Sequence, residues 1–154
     1  MLLYRLVKSR YSDEVLSGVG GLVVDGRWHT AGRRIVYTAT SEALAVLELR
    51  VHLGRVLPRA AFTMHTIEVG DEGVQALRAT DLPRDWARVP APPSTRQIGD
   101  RWLTRGATLA LRVPSIHVAS EGNVLLNPSH AGARTLRVVS RRPYALDSRL
   151  FGSA

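Results

Sequence analysis

The amino-acid sequence predicts a single α+β domain in which short strands outnumber helices. Segments rich in β-branched and aromatic residues recur between turn signals, whereas only two segments have the length and end signals of helices. The strands do not alternate regularly with helices, which argues against a parallel sheet with crossover helices. Because 154 residues are a usual length for one domain, we expect residues 1–154 to form one compact domain with one functional site.

Six segments have the composition of strands. They share β-branched or aromatic side chains and are bounded by glycine, proline or polar turn residues. These segments are residues 2–7, 34–39, 61–69, 108–113, 123–126 and 134–139. After the first of them, the Gly-rich stretch Ser17–Leu22 predicts a flexible or tightly turned segment. The Pro-rich stretch Val89–Thr95 predicts a surface loop, because it is too short to separate two domains.

Two helices are predicted. The first runs from about Ser41 to Leu53, with Thr40 or Ser41 as its N-cap, and Gly54 closes it. The second lies near Thr95 to Arg105. With so few helices beside six strands, we expect the helices to cover a sheet rather than to form a bundle.

Glu48 lies beside the apolar face of the first predicted helix. At about 100° per residue, Leu44, Leu47 and Val51 share that face, and Glu48 lies between Leu44 and Ala45. We therefore expect its carboxylate to be at least partly buried. A buried carboxylate is costly unless it is paired or used. Two interpretations follow: a structural ion pair with an arginine, or a catalytic carboxylate that faces a cleft.

Positive charge dominates the composition. Lys and Arg number 21 against 13 Asp and Glu, which gives a net charge of +8. Most of the cations are arginines, whose planar fork of donors suits phosphate, nucleic acid or an acidic protein partner. A GC-rich genome encodes Arg more often than Lys and would give the same excess of arginine. The aromatic content is only 6%, so few aromatic side chains are available to stack on the bases of a nucleic acid.

Several functional classes lack their sequence signals. The chain has no cysteine, which excludes disulfides, thiolate zinc sites and a cysteine nucleophile. No signal peptide or membrane span is present, so we expect a cytoplasmic protein. The motifs of serine hydrolases, P-loop NTPases and zincins are absent. His65, His117 and His130 lack ligand spacing, and we therefore expect no metal.

Four further residues are candidate ligand contacts. Arg27 follows a glycine, where the backbone can approach a ligand and the guanidinium can bind phosphate, although an Arg–Trp surface contact with Trp28 explains it equally. Tyr37 lies on an apolar strand face and also fits a core tyrosine with a tethered hydroxyl. Ser115 and Asn127 adjoin prolines where strands end, positions that suit ligands and ordinary turns alike.

Short motifs follow one another along nearly the whole chain: Tyr4-Arg5-Leu6, Gly26-Arg27-Trp28, Val36 to Ala39, Ala45 to Glu48, Leu82-Pro83 with Trp86, Gly99-Asp100 with Trp102, Val113-Pro114-Ser115, Leu126-Asn127-Pro128 with His130, and Asp147 with Arg149-Leu150. In this order they resemble the motifs of the RES domain family, the toxins of RES–Xre toxin–antitoxin systems. One departure is His29, where the family more often has asparagine.

The resemblance implies an ADP-ribosyltransferase-like fold with a mixed or antiparallel β core. It further implies an enzyme that cleaves the nicotinamide–ribose bond of NAD+, by hydrolysis or phosphorolysis, and so depletes cellular NAD and arrests growth. NAD+ would be the substrate, and no cofactor is expected. The same fold also serves protein ADP-ribosyltransferases, which is the alternative activity. A basic module that binds nucleic acid without catalysis is a third interpretation, which leaves Glu48 unexplained.

Within this resemblance, seven residues form the expected site. Arg27 would hold the pyrophosphate, Tyr37 would stack on nicotinamide or ribose, and Glu48 would bind ribose hydroxyls and stabilise developing positive charge. Ser115 would orient that carboxylate or the ligand. The expected substrate contacts are Arg5, Trp28 and Asn127. The implied partner is a separate Xre-family antitoxin chain that covers the active site, so that nucleic acid is contacted only through the antitoxin.

Overall fold

The computed structural model describes residues 1–70 and 73–152, and within these ranges seven strands form one sheet beside two α-helices. The strands are β1 (Leu2–Lys8), β2 (Val36–Ala39), β3 (Phe62–Glu68), β4 (Val74–Ala76), β5 (Ala110–Pro114), β6 (Gly122–Leu126) and β7 (Arg137–Tyr144). The helices are α1 (Glu42–His52) and α2 (Pro93–Arg105). Short 3-10 helices lie at Ser9–Glu14, Val19–Leu22, Ala79–Asp81, Ala131–Thr135 and Ser148–Leu150.

The sheet is mixed but almost entirely antiparallel. Its strand order is β4-β5-β6-β2-β1-β3-β7, and only the pair β4 and β5 is parallel. The ladder between β3 and β7 shifts register between Thr66 and Ile67. This architecture confirms the predicted α+β class and the mixed β core of one compact domain.

Both helices cover the same face of the sheet. Leu44 of α1 packs against β1 and β3 through Leu6 and Met64, and Trp102 of α2 packs against Leu125 of β6. Because successive strand residues point to opposite faces, the residues between them form a second core layer on the other face. That layer contains Leu3, Val36, Ile67, Val69, Leu109, Ala110, Val124 and Leu126. The surface between α1 and α2 therefore has the centre of the sheet as its floor.

The ends of α1 follow from its local sequence. The Ser41 side chain accepts a hydrogen bond from the backbone N–H of Leu44, 3.1 Å away, as an N-cap should. Arg50 and His52 occupy the last turn, where the helix dipole favours cations. The helix predicted over residues 41–53 is thus confirmed, and it presents Glu48 one turn before its end.

The largest differences from the predictions concern three elements. Helix α2 starts at Pro93, inside the predicted loop 89–95, because proline is well suited to the first turn of a helix. Strand β4 was not predicted. The last strand, predicted over residues 134–139, was placed too early, because the chain forms a 3-10 turn at Ala131–Thr135 and then pairs over Arg137–Tyr144.

Candidate active site

The Glu48 carboxylate is held by two neutral donors. Its Oε1 atom accepts hydrogen bonds from Asn123 Nδ2 at 2.7 Å and from Ser115 Oγ at 3.2 Å. Its Oε2 atom lies 3.8 Å from His117 Nε2, and the Glu48 side chain remains 27% exposed. No arginine forms a salt bridge with Glu48 within the described residues, so a structural Arg–Glu ion pair does not account for this carboxylate.

Ser115 is oriented by the backbone that follows it. The buried hydroxyl accepts hydrogen bonds from the N–H groups of His117 and Val118, at 3.1 and 3.3 Å. Since these donors occupy the oxygen lone pairs, the hydroxyl proton is directed to Glu48. Backbone, serine and carboxylate thus form one chain of hydrogen bonds in a fixed direction.

Tyr37 extends along the floor of the cleft and anchors the preceding loop. Its hydroxyl accepts from the backbone N–H of Trp28 at 3.1 Å and lies 2.8 Å from His29 Nδ1. Burial raises the pKa of Tyr37 well above its ordinary value, so the phenol is neutral. Because Trp28 already donates to the oxygen, the phenol proton is available to Nδ1 of His29. His29, which lies where the family more often has asparagine, therefore contacts Tyr37.

Arg27 connects the loop before β2 to the loop before α2. Its Nη1 donates to the carbonyl oxygens of Trp86 at 2.6 Å and Arg88 at 3.0 Å. Burial lowers the pKa of Arg27, while the nearby charge of Glu48 raises it; the guanidinium stays cationic at neutral pH. Nη1 is engaged by the protein, and a guanidinium has further donors on Nε and Nη2.

Arg5 holds β2 against β1. These two strands share a single register pair, Tyr4 with Ala39, and Arg5 Nη1 donates to the carbonyl oxygen of Tyr37 at 2.9 Å. Burial lowers the pKa of Arg5 to about 10. Its Nε atom is buried without a hydrogen-bond partner among the described residues. In this position Arg5 stabilises the pairing of β1 with β2. The expected phosphate contact of Arg5 remains a prediction.

Two expected substrate contacts need correction. The Trp28 side chain is only 2% exposed and packs with Trp102 in the core, because burial of a large indole is strongly favourable. It is the backbone of Trp28 that serves the site, through Tyr37. Asn127 is also buried, and its Oδ1 accepts from Ser129 N at 3.0 Å. It lines a separate pocket beyond the end of β6, away from Glu48.

Asn123 and His117 are the site residues that the sequence did not single out. Asn123 pairs in register with Ala39 of β2, two strand positions from the pair of Tyr37 with Leu125. The available signal was a polar residue two positions from Leu125 in a predicted strand, since such residues share one face. His117 follows Ser115 by two residues, but nothing in its spacing distinguishes it.

A cavity of about 640 Å³ lies beside this cluster. Ser115 and Ile116 form one wall, and Trp86, whose carbonyl accepts from Arg27, forms part of another. The described residues contain no group of three or more His, Cys, Asp or Glu side chains placed to hold a metal ion. They also include no helix of the length and apolarity that crossing a membrane requires.

The arrangement brings together Glu48 and Ser115 and places Arg27 within electrostatic reach of Glu48. Tyr37 joins them through the Trp28 backbone. Carboxylate, cation and cavity are the parts needed to bind an anionic substrate and stabilise positive charge that develops in it.

Comparisons with known proteins relate the chain to one family. The RES domain family model matches residues 2–147. A protein of Yersinia enterocolitica named Toxin Res is 38% identical over 97% of this chain and 99% of its own length. Toxin Res of Pseudomonas putida is 41% identical over 98% of this chain and 100% of its own length. A Sphingobium protein named Prs ADP-ribosylating toxin is 36% identical over 94% of this chain and 91% of its own length.

The fold also has a solved counterpart. The crystal structure of the M. tuberculosis MbcT–MbcA toxin–antitoxin complex contains a chain that superposes with a TM-score of 0.78 at 18% identity, covering 93% of this chain and 83% of that one. At this identity the likeness concerns the fold. The family match over residues 2–147 and the relatives that align along nearly their whole length lead to one conclusion: the chain belongs to the RES domain family.

Proposed function

We propose that this protein is the toxin of a toxin–antitoxin pair and that it cleaves the nicotinamide–ribose bond of cytoplasmic NAD+. The observation that carries the proposal is the state of Glu48: Oε1 is held by Asn123 and Ser115, while Oε2 accepts no hydrogen bond within the described residues. A carboxylate that is fixed on one side and unsaturated on the other suits a substrate better than a structural ion pair.

The reaction requires such a group. The C–N bond between ribose and nicotinamide breaks, its electron pair leaves with the neutral nicotinamide, and positive charge develops on the ribose. A carboxylate near the ring stabilises that charge and accepts hydrogen bonds from ribose hydroxyls. An oxygen of the acceptor then bonds to the ribose carbon: water yields ADP-ribose and a proton, and phosphate yields ADP-ribose 1-phosphate. Oε2 of Glu48 is the atom proposed for this role.

Arg27 is proposed to bind the pyrophosphate. It is cationic, it lies close enough to Glu48 for their charges to interact, and a guanidinium whose Nη1 is fixed by two carbonyls is preorganised for a phosphate. Tyr37 is proposed to contact the nicotinamide or ribose with the half-buried face of its ring. The cavity beside Ser115 offers space for the rest of the dinucleotide.

A second activity has a specific observation in its favour. The relative from Sphingobium that is 36% identical over 94% of this chain is named an ADP-ribosylating toxin. Transfer to a protein uses the same bond cleavage and the same carboxylate, but a side chain of the target replaces water or phosphate as the acceptor. The two activities therefore differ in their products and not in the first step.

A separate Xre-family antitoxin is the proposed partner. The net charge of +8 favours an acidic segment of that partner over the cleft, where it would occupy the place of the substrate phosphates. Binding should then weaken with salt and with Arg27→Glu. Affinity that Arg27→Glu leaves unchanged would place the antitoxin elsewhere.

Product analysis tests the proposal. The purified protein is incubated with NAD+ in phosphate-free buffer, with added phosphate, and with cell extract, and the products are identified by mass. Nicotinamide should appear in every condition that supplies the acceptor. ADP-ribose, its 1-phosphate or a labelled protein then identifies water, phosphate or protein as the acceptor. Absence of nicotinamide under all three conditions would refute NAD+ cleavage.

A further inference from the structure

Asn123 donates the shortest hydrogen bond that Glu48 receives. Its Nδ2 lies 2.7 Å from Oε1, compared with 3.2 Å for Ser115 Oγ. We propose that Asn123 is a positioning residue, which with Ser115 fixes the Glu48 carboxylate so that Oε2 is presented to the substrate ribose. The inference rests on the proposed function, because it concerns the same carboxylate.

The first argument is geometric. The last torsion of a glutamate side chain is broad and roughly two-fold, so an unheld carboxylate would sample many orientations in the cleft. Two donors from different elements converge on one oxygen: Asn123 from β6 and Ser115 from the end of β5. They determine the plane of the carboxylate and with it the direction of Oε2.

The second argument concerns rigidity. Asn123 lies within the sheet, paired in register with Ala39 of β2 on one side and Val113 of β5 on the other. A side chain on a central strand is held more accurately than one on a loop. Asn123 therefore holds the carboxylate of Glu48, which extends from α1, in a fixed position.

The third argument concerns charge. Asn123 and Ser115 are neutral, so they orient Glu48 while leaving its negative charge available for the positive charge of the reaction. An arginine in the place of Asn123 would bind the carboxylate equally well but would oppose that charge. A neutral amide donor at this position therefore fits a positioning role.

The charged and titratable groups around the carboxylate come from three places. His117 approaches Oε2 from the loop after β5, and Arg27 acts from the loop before β2. Glu121 lines the adjacent cavity and accepts from Ser41 Oγ at 2.5 Å, at the start of α1. All of them are present in the wild type and in every variant below, and Asn123→Ala serves as the reference for their titration without the donor.

The test replaces the donor by a group of nearly the same shape. In Asn123→Asp, an ionised carboxylate faces Oε1 and repels it, and kcat for nicotinamide release should fall about 10- to 100-fold with KM little changed. An aspartic acid has an ordinary pKa of about 4, raised by a neighbouring carboxylate. As the pH falls from 8 to 5, the introduced group gains a proton that it can donate, and the ratio of variant to wild-type kcat should rise.

Two further variants complete the experiment. Asn123→Ala removes the donor without adding a titrating group, so its kcat ratio should be low and independent of pH. Gln97→Glu adds one carboxylate at an exposed position of α2 and should keep the wild-type rate at every pH. Thermal unfolding of each variant checks that the fold is retained.

The outcomes separate the two proposals. If the wild type releases no nicotinamide, the proposed function itself fails. If the wild type is active but Asn123→Ala keeps full kcat, Asn123 does not position Glu48. An Asn123→Asp variant that keeps the wild-type kcat at every pH would contradict the positioning role in the same way, and Asn123→Ala decides the question if the aspartate variant does not fold.

Discussion

The Tyr37 hydroxyl lies 2.8 Å from Nδ1 of His29, and the two rings meet at a tilt of 54°. Through this contact, strand β2 holds the loop that carries Arg27. The same hydroxyl accepts from the Trp28 backbone, so one buried oxygen satisfies two groups of that loop. Loss of the Tyr37 hydroxyl should therefore destabilise this loop even when no substrate is bound.

Tyr37→Phe should therefore destabilise the fold. The Trp28 N–H and His29 Nδ1 would lose their partner inside the protein, and an unsatisfied buried polar group costs about 1–3 kcal/mol. Tyr4→Phe, on the neighbouring strand, is the control, because the Tyr4 hydroxyl makes no hydrogen bond within the described residues. Urea unfolding measures both variants; equal stability of the two would contradict the anchoring role of Tyr37.

Buried histidines should make the fold sensitive to acid. Burial lowers the pKa of His29 and of His65, which is fully buried and lies 2.7 Å from Ser12 Oγ. Such groups bind their proton mainly after unfolding, so stability is complete above about pH 6.5. It should fall below that pH, toward the lower folded pKa, by at most about 1.4 kcal/mol per pH unit for each histidine.

Urea unfolding at pH 7.5 and pH 5 measures this slope. His65→Gln should reduce the loss of stability between the two pH values, whatever its effect on stability at pH 7.5. His52→Gln, at an exposed position of α1, should leave the slope as it is in the wild type. A slope that both variants share with the wild type would show that His65 does not contribute.

Gly99 permits the close approach of α2 to the Arg27 loop. A Cβ at this position would lie 1.7 Å from the carbonyl oxygen of Trp28, so Gly99→Ala must displace the helix. Overpacking of this kind costs about 1–3 kcal/mol or more. Gly54→Ala is the matched control, since nothing lies within 4 Å of a Cβ there. If thermal unfolding finds Gly99→Ala as stable as Gly54→Ala, the close packing at Trp28 is wrong.

Arg27→Ala should raise KM for NAD+ more than it lowers kcat, because the proposed role of this cation is to bind the pyrophosphate. It should also loosen residues 86–88, whose carbonyls accept from Nη1; amide exchange in this loop is a readout independent of activity. Arg34→Ala, which removes an exposed arginine bound to Ser17 O, is the control. An unchanged KM in Arg27→Ala would exclude the phosphate role.

The sequence predicted most of the fold because most elements carry their own signals. Helix α1 has an N-cap at Ser41 and an apolar face, and the central strands are apolar and β-branched. Strand β4 has only three residues, and its partner β5 is remote in the chain. Strand β7 is an edge strand whose exposed residues include Arg137, Arg141 and Arg142, so its burial pattern is too weak to fix its start.

The site was predicted less completely, for a physical reason. The helical wheel identified Glu48, and the order of family motifs related it to Ser115. Neither observation tells which of two asparagines four residues apart reaches the carboxylate. Pairing β6 with β2 and β5 decides it: Asn123 stays within the sheet and Asn127 passes beyond its end. Such a contact depends on strand register, which one sequence does not specify.

The most direct test of the proposed chemistry compares two glutamates of one helix. Glu48→Gln preserves the shape of the side chain and removes its charge, and nicotinamide release from NAD+ should fall by about 100-fold or more. Glu42→Gln removes a charge six residues earlier, where the carboxylate pairs with Arg142 on the surface, and should keep the wild-type rate. If Glu48→Gln releases nicotinamide as fast as Glu42→Gln does, Glu48 is not the catalytic carboxylate.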